Sequence, residues 1–194
     1  MTDQDFFSVY HALTINIQPL PVDFLLPSPL DFEAEIPAPF IVACEFSQLD
    51  QLNEAARLEL KNSDFKHVVQ LLETQNSKLN LLLSFMLAQQ DDPKLRYSTV
   101  SFGASQFIYR SASPLTIGTP LRIKLFLDHP AAAIYCYGEV SQCETQDEYT
   151  NISVKYTLLR DNDQDLLIKA ALHRQQKLLR QRSLDREKNN PQKP

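Results

Sequence analysis

Glycine is scarce in this sequence: Gly103, Gly118 and Gly138 are the three in a chain of 194 residues. Average usage of about 7% would supply roughly 14. A loop that cradles phosphate needs glycine for positive φ angles and for close approach of the backbone. Three such isolated positions cannot form G-x-G-x-x-G or G-x-x-x-x-G-K-[ST], so the common dinucleotide and P-loop chemistries are excluded. Tryptophan is absent, and the three cysteines (Cys44, Cys136, Cys143) show no C-x-x-C pair and no histidine partner. An odd count without a framework suits a reducing compartment. Long apolar runs are missing too. Leu81-Leu82-Leu83 stops at Ser84, far short of the roughly 20 residues that cross a bilayer. The opening Met-Thr-Asp-Gln-Asp is acidic and lacks an apolar core, so no signal peptide is expected. A cytoplasmic protein without a membrane span follows as the expectation.

Basic residues are nearly absent from the first sixty positions, where Arg57 faces ten acids, a net of −9. The remainder carries 18 bases and 14 acids, a net of +4. Two regions of opposite surface potential follow, able to attract each other or suitable partners.

What is present is an ordered change of hydrophobic period. Residues 6–20 alternate, with Leu13, Ile15 and Ile17 set against Thr14, Asn16 and Gln18, and predict a strand. Six prolines between 19 and 39 predict an extended, irregular segment. Its Phe24, Leu26, Phe32 and Ile36 are too apolar for a free linker, so it should lie packed on a surface. Ser47-Gln48-Leu49-Asp50 has the form of a capping box opening a helix. After Asn62-Ser63-Asp64, where Ser63 or Asp64 can cap, comes the strongest period in the chain. Phe65, Val68, Leu72, Gln75, Leu79, Leu82 and Met86 alternate steps of three and four, an a/d seam of about three heptads. Val69, Asn76 and Leu83 widen it. Two readings stay open: an amphipathic helix docked on its own domain, or an intermolecular coiled coil in which Gln75 fixes register. Asp91-Asp92-Pro93 ends the helix.

Beyond Pro93 the period becomes two. Strands are predicted over Arg96–Ser101, Ser105–Arg110, Leu121–Leu127, Ala133–Glu144 and Glu148–Thr157, separated by glycine, proline and serine turns. About five closely spaced strands suggest an antiparallel meander or small barrel. Asp161-Asn-Asp-Gln164 opens a last helix, with Leu167, Ile168, Ala171 and Leu178 at helical spacing and a basic end from Arg174 to Lys188. The division expected is an extended Pro-rich segment with a strand (1–46), a helical region able to oligomerise (47–92), a barrel plus C-terminal helix (94–184) and a disordered tail (185–194).

Catalytic signals are poor. His11, His67, His129 and His173 are dispersed, with no i, i+3 or i+4 spacing to a second His or Cys, so no metal is expected. Cys136 and Cys143, seven apart on one strand, should point to opposite faces as buried free thiols. Asp91-Asp92 reads as a helix terminator rather than a carboxylate pair. The six cations of residues 174–188 are interrupted by Asp185 and Glu187 and lack aromatics for base stacking, so no DNA is expected. Nothing joins a nucleophile, a base and an orienting group. The protein is not expected to be an enzyme.

The order of motifs resembles a known module. Ser98-Thr-Val-Ser-Phe-Gly-Ala-Ser is followed by Phe107-Ile-Tyr109, then Ile117-Gly-Thr-Pro-Leu-Arg-Ile-Lys-Leu-Phe-Leu. Ile134-Tyr-Cys-Tyr-Gly-Glu-Val140, Asn151-Ile-Ser-Val-Lys-Tyr156, Asp163-Gln-Asp-Leu-Leu-Ile-Lys and His173-Arg-Gln-Gln-Lys177 complete the series. From Ser98 to about Arg182 this is similar to the PilZ domain, the bacterial receptor module for cyclic di-GMP. The resemblance implies an α+β fold: a small antiparallel six-stranded barrel with a C-terminal helix, here preceded by an extended segment and two helices. It also implies a place in second-messenger signalling. Lys78-Leu-Asn-Leu-Leu-Leu83 looks like the helical lead-in of a subgroup that builds oligomers, including tetramers, which implies a homo-oligomer, dimer or tetramer, through the 64–87 helix.

Ligand-binding members carry R-x-x-x-R before the barrel and [D/N]-x-S-x-x-G within it. Here Ser101 matches, Thr99 stands at the Asp/Asn position, Ala104 at the glycine position with Gly103 one place early, and Arg96 is the single nearby arginine. No cofactor is implied, and cyclic di-GMP is the possible ligand. Two functions stay open. One is a PilZ-type regulator that binds the nucleotide through Arg96, Thr99, Ser101 and Gly103. The other is an oligomeric adaptor that has lost the nucleotide and docks a protein partner in motility or surface attachment.

Overall fold

The computed structural model describes residues 8–52, 58–60, 65–128, 131–146 and 148–189. The predicted cap at Ser63 or Asp64 and residues 190–194 lie outside the described residues.

Alternation in residues 121–127 builds the clearest strand. Leu121, Ile123, Leu125 and Leu127 are buried, while Arg122, Lys124 and Phe126 turn to the other face. Seven strands arise in this way: β1 (Ser8–Tyr10), β2 (Thr14–Pro19), β3 (Arg96–Gly103), β4 (Gln106–Ser111), β5 (Pro120–Leu127), β6 (Ala132–Thr145) and β7 (Thr150–Leu158). Every pairing is antiparallel, in the order β3-β2-β5-β6-β7-β4, and β4 pairs back to β3 to close a six-stranded barrel. Closure removes the free edges of the sheet. β1 pairs with the far end of β3, Val9 opposite Phe102. The strand expected over 6–20 is thus split at 11–13 into two pieces along one side of β3. Residues 94–184 supply five barrel strands. The sixth, β2, comes from upstream of the helices.

Inside the barrel Ile15, Ile17, Phe102, Phe107, Tyr109, Ile123, Leu125, Ile134, Val140, Ile152 and Val154 form one core. Gly138 is required there, because a Cβ at this position would lie 2.8 Å from Ile123 Cδ1, Val154 Cγ1 and the Lys155 carbonyl oxygen. A bulge between Val140 and Gln142 adds one residue to β6. It reverses the alternation, so Cys136, paired with Ile123, and Cys143, paired with Ile152, both turn toward the core. The expectation of opposite faces is corrected by that one extra residue.

The helices are α1 (Pro29–Glu35), α2 (Ala38–Leu52), α3 (Lys66–Ala88) and α4 (Asp161–Asn189). Helix α2 begins at Ala38, nine residues before the predicted capping box, and Ser47 is buried within it. Pro29 and Pro39, expected to keep 19–39 extended, sit instead in first turns, while residues 20–28 are neither helix nor strand, as expected. Pro29 follows the Ser28 cap of α1, and the Pro37 carbonyl accepts from the Phe40 amide at 2.8 Å. Proline costs nothing there, because a first-turn amide has no intrahelical partner. The segment does pack on a surface, as expected: Phe24 stacks on Tyr137 and Phe32 on Tyr135. Helix α4 starts where Asp161 predicts. Arg160 grips the fully buried Asp163 carboxylate through Nε and Nη2 at 2.7 and 2.8 Å. Burial outweighs that pairing and raises the Asp163 pKa. The helix continues to Asn189, into the stretch expected as a disordered tail.

Candidate functional site

Strand β3 carries the positions that the motif singles out. Its bulge lies between Thr99 and Ser101, and burial there is nearly complete: Thr99, Ser101 and Gly103 are all buried. Thr99 Oγ1 donates to the His11 carbonyl (2.7 Å) and accepts from the Leu13 amide (2.8 Å). The hydroxyl therefore satisfies the two backbone groups left over where β1 breaks from β2. Ser101 pairs with Tyr10 on one side and Ile108 on the other, and Gly103 pairs with Ser8. Arg96, half-exposed at the start of the strand, makes an ion pair with Asp91 (Nη2–Oδ2 2.8 Å). Asp91 is itself held by Asn16, whose Nδ2 donates to its Oδ1 at 2.8 Å while its Oδ1 accepts from the Asp92 amide. The turn between α3 and β3 is thereby tied to β2, and Arg96 is turned toward that turn.

Helix α3 presents the second feature. Val69, Leu83 and Leu87 are buried, at spacings of fourteen and four; Leu83 and Leu87 join the core, and the helix touches α2 and β6. The seam residues face away. Phe65, Val68, Leu72, Leu79, Leu82 and Met86 are 44–63% exposed, and Leu71, Leu81 and Phe85 are 60–71% exposed. Gln75 is exposed among them. Large apolar side chains are thus left uncovered along the length of the helix.

Three further clusters escaped sequence reasoning. On the outer face of β5 and β6, Glu35 Oε2 accepts from Tyr135 (3.0 Å) and Tyr137 (2.5 Å), and Arg122 lies over the Tyr137 ring. This fastens α1 across the barrel. Between α3 and the β5–β6 connection lies a hollow of about 250 Å³ bounded by Ser84, Leu87, Asp91 and Asp128. A cleft of about 230 Å³ joins His11, Asp128, His173, Arg174 and Lys177. The members of each come from distant segments, so no local spacing announces them. Among the described residues no group of three or more His, Cys, Asp or Glu is placed to hold a metal ion. Nor is any of their helices long and apolar enough to cross a membrane.

No protein-family model and no curated protein matches the sequence. Solved structures do. One is a pathogenic protein from Xanthomonas campestris, a tetrameric PilZ domain self-assembled via an unusual helical bundle. It matches over 90% of this chain and 91% of its own, at 16% identity and a TM-score of 0.53. Another is the Bacillus subtilis inhibitor of motility MotI/DgrA, matched over 91% of this chain at 13% identity and a TM-score of 0.48. The chain spans about half, 53%, of the Bacillus protein. The likeness to the Xanthomonas structure shows the fold: this chain is built as a PilZ-like domain.

Proposed function

We propose that the protein is a non-enzymatic regulatory module of PilZ type that works as an assembly of its own copies, joined through α3, and docks a protein partner. The observation that carries this reading is the apolar seam of α3, left outward although the adjoining stripe of Val69, Leu83 and Leu87 on the same helix is buried. A second copy is the occupant that fits best. The outward residues repeat every three and four positions, which is the pattern that a like helix interdigitates. Each large side chain covered adds about 1.5–3 kcal/mol. The helical bundle named for the Xanthomonas protein is the same kind of solution on the same kind of domain. Light scattering on the full chain tests it. A dimer or tetramer at micromolar concentration supports the assembly, and a monomer at every concentration sinks it.

Cyclic di-GMP binding is the second reading. The barrel fold and a half-exposed Arg96 at the head of the Thr99, Ser101 and Gly103 strand favour it. A doubly anionic ligand needs several convergent donors, and here Arg96 would have to leave Asp91 and the Thr99 hydroxyl its two backbone partners. Calorimetry with the nucleotide separates receptor from adaptor: heat that saturates at one site per chain or per pair establishes the receptor, and none at high micromolar ligand leaves the adaptor.

A further inference from the structure

At the end of the barrel where α4 crosses β1 and β3, an apolar floor of Leu13, Phe102 and Leu127 is ringed by charge. Arg174 and Lys177 from α4, His11 from the β1–β2 turn and Asp128 after β5 line the same cleft of about 230 Å³. Arg174 Nε is buried there without a hydrogen-bond partner among the described residues. An N–H of a guanidinium is a strong donor, and leaving it unmade inside a protein is costly. The side chain that carries it lines the cleft.

We propose that this cleft binds a phosphate group carried by a small ligand. A guanidinium fork with a lysine beside it matches the several oxygens of a tetrahedral dianion. The volume is below the roughly 300–1,000 Å³ of sites that enclose a whole drug-sized ligand, so one phosphoryl group with a small substituent fills it. The cleft shares His173 and Lys177 with an open hollow of about 440 Å³ that continues along α4 to Gln176 and Arg180. The rest of the ligand leaves by that path. The site uses none of Arg96, Thr99, Ser101 and Gly103 and does not depend on assembly through α3.

His11 makes the site sensitive to pH. Its ring lies against Phe102, with centroids 6.3 Å apart. Burial and the charges of Arg174 and Lys177 hold its pKa below the usual value, while Asp128 opposes them. A bound phosphate adds negative charge beside His11 and so shifts its pKa upward.

The test is thermal denaturation of the full chain with inorganic phosphate in the low millimolar range, against acetate and chloride at matched ionic strength. The histidine ring resonances are followed through the same titration. Phosphate should raise the midpoint in proportion to the logarithm of its concentration, and acetate and chloride should not. The His11 pKa should move up. Lys177→Gln and Arg174→Gln should each weaken the response about tenfold or more. Lys177 is exposed, so its variant is the safeguard should Arg174→Gln fold poorly. A rise of the same size with acetate, or a phosphate response undiminished in Lys177→Gln, overturns the proposal. No response in the wild type overturns it as well.

Discussion

Thr99 stands where binding relatives place Asp or Asn, and its hydroxyl is already engaged by two backbone groups of the β1–β2 connection. Thr99→Val keeps the shape and orphans the Leu13 amide and the His11 carbonyl. It should cost about 1–3 kcal/mol in urea unfolding, with Thr99→Ser recovering most of the loss. Gly138 is the other residue fixed by its surroundings. A methyl group there meets a backbone oxygen as well as two side chains, and Gly138→Ala should lower stability by about 1–3 kcal/mol in the same measurement. His11 sets a pH dependence. Its folded pKa lies below the reference of 6.5, so the unfolded chain binds more protons just below that pH. The contribution of the neutral ring is complete above about pH 6.5 and fades as pH falls through the folded pKa. Thermal midpoints between pH 7.5 and 5 should fall more steeply for the wild type than for His11→Gln.

Helix α3 has two apolar faces with different duties. Leu83→Ala removes a buried side chain and should destabilise the fold by about 2–5 kcal/mol. Leu79→Asp, on the outward face, should change the stability of the single chain by less than about 1 kcal/mol while weakening assembly. Denaturation of both variants at low protein concentration distinguishes the faces. The sequence made this helix legible because its 23 residues repeat one period. The strands of β3 to β7 were legible for a related reason: one face is buried, so a period of two shows over most of their length, cleanest in β5. Helices α1 and α2 were not, because prolines at positions 29, 37 and 39 read as breakers unless the first turn is already known. The shared face of Cys136 and Cys143 was hidden by a one-residue bulge that leaves no mark on composition. At β3 the motif positions were legible as a match, but the engagement of Thr99 by His11 and Leu13 depends on contacts 86 and 88 residues apart.

On the scale of the whole molecule, the chain leaves its barrel and returns to it. Strands β1 and β2 come first, α1 and α2 lie on the outer face of β5 and β6, α3 runs out, and β3 to β7 close around β2. Closure needs contacts far apart in sequence, so the barrel cannot be cut free of the N-terminal segment: a chain starting at residue 94 lacks the strand between β3 and β5 and should fail to fold. That tie fixes the base of α3 to the barrel through Asn16 and Asp91 and holds its outward face in one orientation, which suits repeated docking of identical copies. Sedimentation velocity of the wild type beside Leu72→Asp/Leu79→Asp, both checked for native circular dichroism, tests the central claim most directly. The wild type should sediment as a dimer or tetramer and the folded variant as a monomer. A folded variant that sediments with the same oligomeric mass as the wild type contradicts assembly through α3.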